Sequence, residues 1–135
     1  MLGAQQNPKW VVRLSVMAED LATAFRAVVS EQLSSVTLVM DYWQLAFDGY
    51  GLTILTRIMV RGPNSRTSDG EPEFHNRLCD RIGHVVTDVA LRPGDRLVLT
   101  FDDGSIIEAS LRDQDYRGPE AILFRVRGSE KQCLD

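Results

Sequence analysis

The chain has 135 residues, 44% of them hydrophobic and 25% charged, with a formal net charge of −4 and a sequence pI of about 5.1. That length fits one domain whose core needs no staples. The composition excludes a disordered chain, a collagen and a coiled-coil rod, and the acidic balance disfavours phosphate backbones as partners.

Lys9 and Lys131 are the only lysines, against thirteen arginines. The arginines are scattered singly, with no basic run and no interleaved aromatics, so no nucleic-acid binding is expected. The apolar runs are far short of a membrane span. "MLGAQQNPKW" has no basic patch followed by an apolar stretch. The expectation is a cytoplasmic protein with no membrane association, in which Cys79 and Cys133 stay reduced.

Residues 9–16 have two readings. Trp10, Val12, Leu14 and Val16 alternate as in a strand. Trp10, Leu14, Met17, Leu21 and Val28 also form one helical stripe, with Asn7-Pro8 as cap and first position. The stripe favours one long helix; the β-branched valines oppose it. Leu21, Phe25, Val28 and Val29 then fall at helical spacing, with Glu19 and Asp20 in the first turn.

Three strands follow in alternation: Val36, Leu38 and Met40; Trp43, Leu45 and Phe47; then Leu52, Ile54, Thr56 and Ile58. Asp48-Gly49 is the tight turn between the last two. Residues 61–70 are turn formers and charge, a polar connector. "EPEFHNRLCDRIG" predicts a second helix with a stripe of Phe74, Leu78 and Ile82 and Gly83 as its cap. Three more strands follow, "HVVTDVAL", "DRLVLTF" and "SIIEASL", turned at Arg92-Pro93-Gly94-Asp95 and at Asp103-Gly104. A final strand spans about residues 120–127, and the rest is a polar tail.

Helix plus three-stranded meander therefore occurs twice, over about residues 17–60 and 71–111. At an offset of 54 residues Asp41, Leu45, Phe47 and Asp48 meet identical residues at Asp95, Leu99, Phe101 and Asp102. The expected fold is a single α+β domain over residues 1–135, mostly antiparallel sheet, with a possible internal duplication.

"SSVTLVMDYWQLAFDG", "CDRIGHVVTDVAL", "LTFDDG" and above all "LRDQDYRGPEAILF" resemble motifs of a family of small uncharacterised bacterial proteins, a domain of unknown function. The resemblance covers roughly Glu31 to Phe124. It implies one compact domain and no particular chemistry.

His75 and Cys79 share a helical face that a metal could bridge, with His84 five residues on, but a fourth ligand is lacking. No metal and no cofactor are expected. The same residues suggest a Cys/His nucleophile, but Cys79 lies toward the wrong end of its helix for a lowered thiol pKa. Asp48, Asp102 and Asp103 at the hairpin tips are accounted for by turn chemistry. No nucleotide, zinc-protease or hydrolase signature occurs, and no catalytic residue is assigned.

The residues suited to a ligand or partner are Asp115, Tyr116, Arg117 and Glu120 in the loop before the last strand, with Tyr42 in the first meander. A tucked-in structural loop is the competing account. The function expected is a non-catalytic protein-interaction module, of which an acidic immunity-type protein that neutralises a toxin is one version. The alternative is a small-ligand binder or enzyme with a cleft between the halves, lined by Tyr42, Tyr116, Arg117 and His84. A homodimer is expected, paired through an edge strand, for which "AILFRV" is the candidate, or through the first helix.

Overall fold

The computed structural model describes residues 11–13, 23–117 and 120–126. Alternation becomes hairpins where turn residues permit. Trp43, Leu45 and Phe47 all point inward from β3 (Tyr42–Phe47), and Asp48-Gly49 returns the chain into β4 (Tyr50–Ile54). Gly49 has φ +88°, a conformation that side chains resist and glycine adopts freely. On the other flank β3 pairs with β2 (Leu33–Val39). The second meander is β7 (Val86–Arg92), β8 (Arg96–Phe101) and β9 (Ile106–Ser110).

The run of Leu52, Ile54, Thr56 and Ile58 predicts one strand, but the structure breaks it after Ile54. Thr56 is fully buried, bridges to Tyr116, and donates its hydroxyl to the Asp115 carbonyl at 3.0 Å. The chain then enters β5 (Ile58–Arg61), which pairs not with β4 but with β9. Reciprocally, β10 (Ile122–Val126) leaves the second meander and pairs with β4. Each meander thus receives the crossing strand of the other half. With β1 (Val11–Arg13) and β6 (Arg66–Ser68), two five-stranded antiparallel sheets result, ordered β1-β10-β4-β3-β2 and β6-β5-β9-β8-β7.

Several expectations are corrected here. Residues 11–13 are strand, not helix, because β10 offers them a pairing edge; residues 9, 10 and 14–16 lie outside the described residues. The expected polar connector contains β6, since Arg61 and Arg66 pair across a short loop. The final strand is not an edge: β10 is flanked by β4 and β1. The second helix, α1 (Phe74–Cys79), is only six residues long and leaves Ile82 41% exposed rather than in the core. Of the first predicted helix, residues 23–25 are helical and Arg26–Val28 continue as a 3-10 turn, while Glu19, Asp20 and Leu21 lie outside the described residues. Antiparallel sheet, with short helical turns, dominates the described residues.

The two meanders share several local features. Leu33 faces Phe47, with an irregularity before Ser35; Val86 faces Phe101, with one before Asp88. Ser30 donates its N–H to the Val86 carbonyl at 2.7 Å, and Gly83 to the Leu33 carbonyl at 2.8 Å. Both have positive φ, +78° and +96°. Inward residues of both sheets form one core with Phe25, Val28, Phe74 and Leu78. Phe124 of β10 meets Phe25 edge-on at 5.4 Å, and Trp43 meets Phe74 at 5.5 Å.

Candidate functional site

Arg112 leaves β9, and the residues after it form a 3-10 turn, Asp113–Asp115. The Asp115 carboxylate accepts the Ser110 hydroxyl at 2.6 Å, so this acid fastens the turn to β9. Tyr116 packs against the core and points its hydroxyl at the Leu111 carbonyl. Burial, aided by the charges of Asp113 and Glu120, raises its pKa. Arg117 donates its N–H to the Leu55 carbonyl at 2.9 Å. Its guanidinium donates to the Asp41 carbonyl at 2.9 Å and pairs with the Asp69 carboxylate.

These contacts span three places: the β4–β5 crossing, the β2–β3 turn and the end of β6. The loop therefore works as a brace. Tyr42 begins β3 beside the Asp41 carbonyl, half-buried, and Glu120 lies half-buried just before β10. Arg117 and Tyr42 come to the same turn. His84, expected in the same cleft, makes its contacts elsewhere.

Cys79 and His75 do share a face of α1, with Sγ and Nε2 3.6 Å apart, and the His75 ring tilts against Trp43 at 5.9 Å. His84 does not join them. Its Nδ1 lies 2.7 Å from Asp102 Oδ1 and its Nε2 3.8 Å from Asp103 Oδ2. This cluster follows from strand register: His84 precedes β7, Asp102 and Asp103 follow β8, and Val86 pairs with Phe101. The hairpin prediction contains that information, but the three residues are distant in sequence and are easily treated apart.

His84, Asp102 and Asp103 bring their ligand atoms within 4.8 Å of one another, a spacing a cation could bridge. Arg81, however, already holds Asp103, with Nη1 2.6 Å from Oδ2, and also reaches the Ser105 hydroxyl. A guanidinium on one ligand oxygen makes the cluster an ion-pair network first. The His84 hydrogen bond, against some desolvation, holds Asp102 below its ordinary pKa. For Asp103 desolvation pushes the pKa up, but hydrogen bonds from Arg81 and Ser105 together pull it well below the ordinary value of 3.8.

A depressed carboxylate stabilises the fold above its ordinary pKa and loses that contribution as the pH falls toward the depressed value. Asp103→Asn is therefore expected to cost about 1 kcal/mol near neutral pH, allowing for partial exposure. The urea midpoints of the two proteins should draw steadily together as the pH falls below the ordinary value of 3.8. A constant difference down to pH 2 would show that the charge is not the cause.

The remaining feature is the β2 edge. Met40-Asp41 is a two-residue loop closing the Val39–Tyr42 pair. Such loops close a hydrogen-bonded pair, so Ser35, Thr37 and Val39 face β3, while the backbone groups of Val36 and Leu38 point outward. No described residue hydrogen-bonds to them. Leu38 is 51% exposed and Met40 91%.

The matching edge of β7 is shielded. Arg26 donates to the Val89 carbonyl at 3.2 Å, and Asp88 and Arg92 charge the strand. By strand register Val89 is the counterpart of Val36, and the counterpart of Arg26 in the other half is Cys79, which offers no such reach. No family model, curated protein or solved structure matches the chain.

Proposed function

We propose that the protein is a non-catalytic interaction module of the bacterial cytoplasm that pairs through the β2 edge, with a second copy of itself as the partner. The observation that carries this is the uncharged, unshielded edge at Val36–Val39 beside a shielded counterpart. Proteins guard long edge strands with charge, proline or cover; Val36–Val39 carries no charge and no proline, and although the helix Phe74–Cys79 lies against β2, no described side chain bonds the outward groups of Val36 and Leu38. Antiparallel addition of a strand would satisfy the outward groups of Val36 and Leu38. The same strand in a second copy fits it about a twofold axis.

Met40 supports the reading. Its φ of +55° is unusual for a side chain without a local hydrogen-bonding group, and its exposure is almost complete. Such strain costs on the order of 1–3 kcal/mol and collects at functional places. A flexible thioether there adapts to a partner surface.

The internal duplication proposed from the sequence is supported by the matched strand orders, the paired irregularities and the buried Phe47 and Phe101. Within this reading, Asp115, Tyr116 and Arg117 serve mainly to brace the crossing. The separation of His84 from Arg117 counts against a catalytic cleft between the halves. Among the described residues, no helix is long and apolar enough to cross a membrane.

Light scattering at micromolar concentration should give about twice the 15.2 kDa chain mass. Leu38→Lys should give the monomer mass and keep a cooperative thermal transition, because a lysine on an edge strand opposes pairing while remaining solvated. A wild-type monomer throughout a hundredfold dilution would rule out self-pairing. It would leave the edge to a different chain, as the immunity-type version requires.

A further inference from the structure

The outer face of the second sheet carries a groove of about 110 Å³, several times the roughly 30 Å³ a water occupies in the liquid. Its floor is a row across three strands, in which Met59 faces Ser68 on one side and Glu108 on the other. Its walls hold Arg57, Arg66 and Arg112.

Most of the carboxylate oxygens there have donors. Asp95 takes Arg112 at 3.0 Å, and Glu108 takes Arg96 on Oε2 at 3.3 Å, while its buried Oε1 has Arg61 3.9 Å away and no hydrogen bond. Asp115 takes the Ser110 hydroxyl. The arginines are not matched in the same way. Arg57 is exposed and makes no ion pair with a described residue. Arg66 points its Nε at the Met59 sulfur, 2.8 Å away. A thioether is a weak acceptor, so a guanidinium resting on one has a better partner to gain. Three arginines face three carboxylates in this groove; Arg112 is held by Asp95, which leaves Arg57 and Arg66 as guanidinium groups with no carboxylate partner among the described residues.

We propose that the groove binds a small phosphate-bearing anion, with Arg57 and Arg66 as its principal ligands and Arg112 shared between the anion and Asp95. Planar guanidinium groups suit phosphate oxygens bidentately. Ser68 and Ser110, which also line the groove, are placed to meet hydroxyl or ester oxygens. The surrounding carboxylates repel a long polyphosphate backbone and restrict the ligand to a single small group.

Calorimetric titration of the full chain with inorganic phosphate at low ionic strength tests this. One saturable site is expected. Arg57→Gln and Arg66→Gln should each weaken it about tenfold, the scale of a lost charge-assisted contact. Arg26→Gln, on the β7 edge, should leave it unchanged. The Arg57 side chain makes no hydrogen bond or ion pair with a described residue, and its carbonyl bond to the Ser110 N–H is kept on substitution, so its variant should melt with the wild type, and its result stands even if Arg66→Gln perturbs the sheet. Absence of saturable binding, or equal affinity in Arg57→Gln, would overturn the proposal.

Discussion

Truncation after Arg117, which removes β10, is expected to abolish the folded state. β10 is an interior strand of its sheet, so β4 loses one of its two partners and β1 loses its partner. Ile122 and Phe124, at 0% and 1% exposure, leave the core with it. Burying each is worth about 1.5–3 kcal/mol, before the loss of two hydrogen-bonded ladders. Phe25 loses its edge-on ring and Tyr50 its stacked one. A small domain has about 5–15 kcal/mol in total. Circular dichroism and amide-proton dispersion should report an unfolded or aggregated chain. A cooperative urea transition in the truncated protein would mean that each meander stands without the exchanged strand.

Phe101→Ala is expected to cost about 3–5 kcal/mol, and Phe47→Ala a similar amount. Each phenylalanine is 1% exposed, ends the middle strand of its meander, and faces the start of a bulged strand. Equal surroundings should give equal cavities and equal penalties. Urea unfolding of both variants provides the measurement. A cost below about 1 kcal/mol at either site would show that its surroundings collapse to fill the space, and that the match between halves does not extend to packing.

Six strands of the two meanders were legible because Trp43, Leu45 and Phe47, and likewise Leu97, Leu99 and Phe101, alternate between punctuating Asp and Gly residues. Partner choice was not legible. Nothing in Ile58 or Ile122 says that each strand joins the opposite meander, because apolar alternation records burial and not the identity of the neighbour. β6 was missed because Thr67 is its only buried residue, set between Arg66 and Ser68 in a turn-rich stretch. The sequence does not distinguish β10 as an interior strand for the related reason that a short apolar strand looks the same with one neighbour or two. The brace of Asp115, Tyr116 and Arg117 was visible as a set of polar residues, but its targets at Thr56, Asp41 and Asp69 lie 48 to 76 residues away. The groove was invisible, because the β5–β6 hairpin that holds Arg57 and Arg66 meets Arg112 only through the exchanged pairing of β5 with β9.

The exchange also fixes a timetable for synthesis. Ile122 pairs with Ile54, 68 residues earlier in the chain. At about 5–20 residues per second, the ribosome needs roughly 3–14 seconds to supply β10 after β4. During that interval the first meander is complete but has a bare flank at β4. The second meander meets the opposite situation, because β5 and β6 form a local hairpin that is made before β9. The later half can close at once on a waiting template, while the earlier half must wait for the last strand. The nascent chain is therefore most exposed to misassociation through its oldest sheet, and slow or stalled elongation lengthens that exposure more than it delays the rest of the fold.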